Sequence, residues 1–532
     1  MIKFKKLLWL FFLSLFFLNV YGQEAPYTFR NPVLPGFNPD PSVCRVGDDY
    51  YLVTSSFVCY PGLPVYHSKD LVNWELISYA LNRPDWIDFS GINDNDGIWA
   101  PTLRYHDGKF YLITTAYHCG GNFYITATDP HGPWSDPVWL KEAPGIDPSL
   151  FWDDDGRCYY TGNRWDLKNN WPAQCSVWTQ ELDLKEGRLT GPMKILSTGH
   201  AYNAQYAEGP HLYKINGQYL LLMSEGGSGR NHALTVHHSK SVMGPYVAGL
   251  VNPVLTTRHM GSEYCYQNFG HADLVQTQNG EWWAVFLGNR NIDGFFPLAR
   301  ETFLCKVKFD GQTPIFNPGK GSDVSELQRP DLPWTPVAPT RPRDEFDADS
   351  LDMKWHFVRI PSTRFYQLKK GRLALSLRPQ VIDSLTNAAM IVRRVEQPDY
   401  VAMTRLEFKA KKENESAGLV LYRTANGYYS LLRTKAGIRL MKKHLGKKEI
   451  VAEMPYDQKA VCLKITVRGM EAVFSFGETP DTLTTIGGGQ SLVPVADNKF
   501  NKFNGTCVGM YATSNGDVSG NQALYDWFEL LY

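Results

Sequence analysis

Five segments between Asp40 and Val285 repeat one shape, and this repeat limits the fold more than any other feature of the chain. Each has a short apolar strand, a polar turn containing glycine, and a strand rich in aromatic or leucine residues. They lead from Asp40-Pro-Ser-Val to Tyr50-Tyr51-Leu52-Val53, from Ala100-Pro-Thr-Leu to Phe110-Tyr111-Leu112-Ile113, and from Asp147-Pro-Ser-Leu to Tyr159-Tyr160. The fourth leads from Glu208-Gly-Pro-His to Tyr219-Leu220-Leu221-Leu222, the fifth from His271-Ala-Asp-Leu to Trp282-Trp283-Ala284-Val285. Apolar strands around Asp-Gly, Asn-Gly or a similar turn read as β-hairpins. The turn glycines Gly47, Gly108, Gly156, Gly217 and Gly280 recur at about the length of one four-stranded propeller blade. The repeat predicts an all-β fold, a five-bladed β-propeller over 23–310. A β-sandwich made of similar hairpins is the alternative, but it does not require such regular spacing.

Composition then shifts. Seven prolines lie between Pro314 and Pro342, so 311–342 reads as a stiff, extended linker or a strap across a surface. Beyond it, Leu373-Ala-Leu-Ser-Leu377, Ala417-Gly-Leu-Val-Leu-Tyr422 and Val461-Cys-Leu-Lys-Ile-Thr-Val467 read as antiparallel strands. They predict a C-terminal β-sandwich over 343–532. At the other end, Lys3, Lys5 and Lys6 precede an apolar run from Leu7 to Val20. That pattern predicts a secretory signal peptide over 1–22, export to the periplasm or the medium, and no membrane association after cleavage. The run is shorter than the roughly 20 residues a transmembrane helix needs.

Lys+Arg and Asp+Glu both number 54, and this balance argues against a nucleic-acid partner, which usually requires a basic excess. The nine cysteines are scattered without a CxxC pair, so neither a disulfide framework nor a zinc site is indicated. One or two bridges stay open.

Aligning the repeats on their turns places Asp40, Ala100, Asp147, Glu208 and His271 at matching positions, allowing a residue or two of slippage. In a propeller the innermost strands line a central funnel, so three carboxylates and an imidazole would converge there. Glycosidic cleavage requires such a set: one carboxyl protonates the leaving oxygen while another activates water or attacks. No GxxxxGK[ST], GxSxG or HExxH motif offers a competing chemistry. The structural alternative for three acids is a calcium cluster. For Asp40 and Asp147, each in Asp-Pro-Ser, it is an Asx-turn; for Glu208 it is a solvated loop acid, and for His271 a satisfied core histidine.

At these residues the chain resembles glycoside hydrolase family 43. Asn31-Pro-Val-Leu-Pro-Gly-Phe-Asn-Pro-Asp-Pro-Ser42 resembles that family's opening motif. Gly97-Ile-Trp-Ala-Pro-Thr102, Gly145-Ile-Asp-Pro-Ser149, Glu208-Gly-Pro-His-Leu-Tyr213, Phe269-Gly-His-Ala-Asp273 and Ala299-Arg-Glu-Thr-Phe303 follow in the family's order. Asp344-Glu-Phe-Asp347 and Ala417-Gly-Leu-Val-Leu421 are similar to the concanavalin A-like sandwich attached to its β-xylosidase and arabinofuranosidase branches. The resemblance implies an inverting mechanism, with Asp40 as general base, Glu208 as general acid and Asp147 orienting the acid and raising its pKa. It implies a substrate-binding role for Arg300 and a place for His271 near the funnel floor, sometimes beside an ion. Trp99 and Phe57 are candidates for lining the sugar pocket, with ordinary core as the alternative. No cofactor is implied for the chemistry, and calcium only as a structural ion.

One departure bears on specificity. Xylosidases of this type tend to read Ser-Thr-Phe-Glu-Trp/Tyr-Phe-Pro-Gly where this chain has Ser55-Ser-Phe-Val-Cys-Tyr-Pro-Gly62. If that loop rims the pocket, Val58 and Cys59 remove a charge and bulk from its wall, which favours α-L-arabinofuranosidase over β-xylosidase. The expected substrate is a hemicellulose-derived oligosaccharide or side chain, cut from its non-reducing end. The rival from another class is a non-catalytic carbohydrate-binding propeller.

Overall fold

Each predicted hairpin is the inner half of an antiparallel blade. In the computed structural model, which describes residues 25–166, 168–496 and 503–532, the innermost strands are Ser42–Val46, Gly97–His106, Ile146–Trp152, Glu208–Ile215 and Tyr266–Gln276. Each pairs with the strand that follows it, and the five inner strands contact one another in a closed ring. The propeller is therefore five-bladed. Asp107-Gly108 and Asn216-Gly217 hold φ of 45° and 77°, and of 49° and 77°. That is the left-handed pair a tight type I′ hairpin demands, and Asp-Gly and Asn-Gly tolerate it best.

The ring is closed by the N-terminal segment. Thr28–Arg30 pairs with Glu326–Gln328, Leu34 bridges Thr302, and the Asn31 amide donates to the carbonyls of Leu304 and Val324. This places Asp40 of blade one beside blade five. The segment expected as linker begins as blade structure: Thr313–Phe316 is the outer strand of blade five. Farther on it behaves as a strap. Asn279 donates to the Asp331 carbonyl at 2.6 Å and the Thr335 amide donates to Asp70 at 2.9 Å, tying the strap to blades five and one.

The C-terminal sandwich has two large antiparallel sheets. Tyr400–Glu407 alternates strictly between buried and half-buried positions, the period of a strand with one face in a core. Between the sheets pack Leu419, Leu421, Leu431, Ile465, Phe474, Val508, Met510 and Phe528. The opposite face of one sheet, with Val420, Tyr422, Tyr428 and Tyr511, packs on Val58, Leu81, Ile87 and Phe89 of the propeller. The two domains also share a sheet, because Cys59–Tyr60 pairs with Phe357 and Val358 at its edge.

Among the described residues helix is confined to Val493–Ala496. No helix among them is long and apolar enough to cross a membrane. The leader expected over 1–22 lies outside the described residues. All nine cysteines are free thiols, so the bridges left open by the sequence do not form.

Candidate active site

A β-bulge at the mouth end of the inner strands builds the site. Hydrogen-bond register shifts between Trp99 and Thr102, Ile146 and Ser149, Glu208 and His211, and Gly270 and Asp273. Within or beside these bulges Ala100, Asp147, Gly209 and His271 hold φ of 40°, 55°, 59° and 48°, and Asp40 of blade one holds 55°. For non-glycine residues such backbone is strained, and it clusters where a fold must aim side chains.

This geometry corrects the alignment drawn from the sequence. The blade-four equivalent of Asp40 and Asp147 is Gly209, not Glu208. Glu208 stands one residue earlier, level with Trp99, Ile146 and Gly270. Blades two to five share the same bulge, so the one-residue offset comes from the hairpin turns, which are two residues long in blades two and four and five residues long in blades three and five.

Asp40 is buried and fully engaged. Arg300 donates to one carboxylate oxygen through Nη1 at 2.6 Å, and Ser55 Oγ donates to the other at 2.6 Å. Ser55 in turn accepts from the Ala100 amide, also at 2.6 Å, so the same hydroxyl joins blades one and two. The Arg300 guanidinium lies over the Phe57 ring at 5.7 Å and the Phe503 ring at 5.1 Å. Phe57 is buried against Phe37 and Ala299. Trp99 is half-buried, stacks on Tyr117 with centroids 4.0 Å apart, and donates its indole N–H to the Asn95 carbonyl.

Asp147 is buried and accepts from the Gly209 amide at 3.0 Å. It is therefore tied to the peptide unit that follows Glu208. Burial pushes its carboxyl above the ordinary range; His271 opposes the shift and the like charge of Asp40 adds to it. The His271 amide donates to Ser224 Oγ at 2.7 Å, and its ring lies against Gly209, where a Cβ would stand 3.0 Å from Nδ1. Below, two residues along each strand, Ser42, His211 and Asp273 meet Arg104. Arg104 donates to Asp273 at 2.7 and 3.0 Å and contacts His211 Nδ1 at 2.9 Å, while Tyr213 and Ser42 also donate to Asp273. Burial alone would raise Asp273, but the Arg104 charge, His211 and the hydrogen bonds from Arg104 and Ser42 together outweigh it and hold the carboxyl well below the usual range. Burial lowers His211 to about 3, which keeps it neutral.

Among the described residues no group of three or more His, Cys, Asp or Glu side chains could hold a metal ion, so the structural calcium ion has no such donor set there. The loop Ser55–Gly62 also differs from expectation. Val58 is buried in the interface with the sandwich and Cys59 pairs with Val358, so neither contributes the pocket wall assumed from the sequence. The residue that sequence reasoning missed is Phe503. It arrives from the sandwich on a segment whose Phe503 amide and Asn504 side chain both donate to Asn95 Oδ1. No local motif in 503–506 signals this; only the packing of the two domains brings it to Arg300.

The arrangement is a carboxylate-lined funnel at the axis of a five-bladed propeller, with an arginine and aromatic rings at its wall, and it defines a glycoside hydrolase. The chain belongs to glycosyl hydrolases family 43, whose family model matches residues 29–314, and residues 343–530 match the β-xylosidase C-terminal concanavalin A-like domain. It is 38% identical over 509 residues to a xylosidase/arabinosidase of Butyrivibrio fibrisolvens, covering 94% of this chain and 98% of that protein. It is likewise 38% identical over 536 residues to a non-reducing end α-L-arabinofuranosidase of Bacteroides ovatus, covering 98% and 97%. The crystal structure of a xylan β-1,4-xylosidase from Bacillus halodurans superposes with a TM-score of 0.89 at 34% identity, covering 95% of this chain and all of that one.

Proposed function

We propose that the protein is an exo-acting, inverting glycosidase that releases terminal α-L-arabinofuranose from hemicellulose-derived oligosaccharides or side chains. Asp40 acts as the general base. Its two oxygens are fixed by Arg300 and Ser55, so the carboxylate is oriented before substrate arrives. Glu208 acts as the general acid. Asp147 is a positioning residue for it, because the hydrogen bond from the Gly209 amide fixes the peptide carrying Glu208. Water deprotonated by Asp40 attacks the anomeric carbon while Glu208 protonates the departing oxygen, which inverts the configuration. Arg300 and His271 hydrogen-bond sugar hydroxyls, with Trp99 and Phe503 against the ring, while Phe57 is buried behind Arg300 as core rather than as pocket lining.

The observation that carries this reading is the separate anchoring of Asp40 and of the Glu208–Gly209 peptide on blades one and four. Support for arabinofuranose comes from the Bacteroides ovatus relative rather than from Val58 and Cys59. The second reading, β-xylosidase, is favoured by the likeness to the Bacillus halodurans structure. Comparing kcat/KM on aryl α-L-arabinofuranoside and aryl β-D-xyloside decides between them; a strong preference for the xyloside rejects the first reading. Asp40→Asn is expected to lower kcat by several orders of magnitude with the circular dichroism spectrum unchanged, and an unchanged kcat would favour the carbohydrate-binding propeller. The basic and apolar residues of 1–22 support export, which N-terminal sequencing of the mature protein would test.

A further inference from the structure

Residues 198–207 lead from blade three to Glu208, and they are held more firmly than a surface loop requires. The His200 amide donates to the buried Glu225 carboxylate at 2.7 Å. Trp171 Nε1 donates to the Ala204 carbonyl at 2.7 Å. The Gly226 amide donates to Gln205 at 2.7 Å, and the Tyr206 amide to Ala173 at 2.9 Å. Tyr206 packs its ring on Gly227. Yet this anchored segment carries Tyr202 with 95% of its surface in water. Trp171, half-buried, faces Tyr202 with ring centroids 6.4 Å apart and planes inclined by 28°.

Burial does not account for Tyr202, since almost none of its surface leaves water on folding. Two near-parallel aromatic rings, Tyr202 on the pinned segment and Trp171 hydrogen-bonded to it, are a preformed surface, and binding to such a surface loses little conformational entropy. Flat aromatic faces suit the axial C–H faces of pyranose rings whose hydroxyls are equatorial. The segment runs directly into Glu208, and the general acid stands on the leaving-group side of the bond that breaks.

We propose that Trp171 and Tyr202 form a binding platform for the leaving group, taking the rings of a β-1,4-linked pyranose backbone beyond the cleaved bond. This deepens the glycosidase reading and rests on Glu208 as its acid. Tyr202→Ala is the informative variant because the side chain is exposed, and Trp171→Ala adds the second ring. In Tyr202→Ala, kcat/KM on a xylo-oligosaccharide bearing one arabinofuranosyl branch should fall about tenfold further than kcat/KM on the aryl arabinofuranoside. Equal falls on the two substrates, or no fall on either, overturn the platform.

A binding measurement separates failure of this proposal from failure of the glycosidase reading. Calorimetric titration of the Asp40→Asn protein with xylotetraose and with a xyloglucan oligosaccharide, with and without Tyr202→Ala, needs no turnover. Weakening of either ligand by Tyr202→Ala sustains the platform, and the ligand weakened more identifies the backbone it takes. No binding, or affinities indifferent to Tyr202, overturns it.

Discussion

Single residues in this site are placed by backbone strain more than by side-chain choice. Asp40, Ala100, Asp147 and His271 each adopt a left-handed conformation that costs about 1–3 kcal/mol apiece. Gly209 holds the same conformation without that cost, and a side chain there would press on the His271 ring. Gly209→Ala is therefore expected to displace His271 and the peptide of Glu208, lowering kcat far more than it raises KM in steady-state assays. Asp147 gives a pH signature. Its carboxyl lies above the ordinary range in the folded protein, so its stabilising share is full at low pH and is lost as pH rises through that folded value. Asp147→Asn should consequently melt at higher temperature than the native protein at pH 7, with the difference vanishing below about pH 4. Thermal melts at the two pH values check this, and a difference that grows toward acid pH would contradict it. The facing positions of Asp40 and Asp147 were legible because each opens a repeat, and their like charges do meet. Ser55 was not: its value lies in joining Asp40 to the Ala100 amide across two blades, and no spacing rule carries that.

At the scale of elements, the hairpin turns made the blades readable, and their unequal lengths misaligned the strand starts by one residue in blade four. Turn glycines report register at the outer end of a hairpin. Their distance from the inner end changes with turn length, five residues in blade three and two in blade four, which is why Glu208 was aligned with Asp147 while Gly209 truly matches it. Beneath the bulges, Asp273 of blade five joins Ser42 of blade one, Arg104 of blade two and Tyr213 of blade four. A carboxylate with no exposed side-chain surface that serves three blades is the ring's central fastener. Asp273→Ala would leave the Arg104 charge buried without its partner, a change expected to cost about 3–5 kcal/mol. Chemical denaturation followed by tryptophan fluorescence should show that loss, and a change below about 1 kcal/mol would mean the blades close without the pair.

The whole molecule is a propeller whose site is completed by its neighbour. Asp94 of the propeller receives Arg359 at 3.0 Å, the Tyr422 hydroxyl at 2.9 Å and the Ala425 amide at 2.9 Å, all from the sandwich. Next to it, Asn95 holds both Trp99 and Phe503. Arg359→Ala should destabilise the buried junction by about 3–5 kcal/mol. It should also raise KM on aryl arabinofuranoside, because Asn95 and its two aromatic rings lose their support; a lower melting temperature with KM unchanged would assign Arg359 to stability alone. The sequence predicted both domains but not this dependence. Interfaces between domains are built from residues far apart in the chain, such as Asp94 and Arg359, and periodicity within either domain is blind to them.

The two-residue strand Cys59–Tyr60 has a consequence of its own. It occupies the outermost place in a sandwich sheet, against His356–Val358. Unpaired edges invite sheet-to-sheet association, and natural proteins cover or blunt them. Here the cover is lent by another domain. A sandwich moved to a different enzyme would arrive with an open edge and an apolar face, and a propeller freed of it would keep a strand with nothing to pair. Such a pair is inherited and engineered together, and a transplanted sandwich would have to bring the Cys59–Tyr60 strand with it to keep that edge covered.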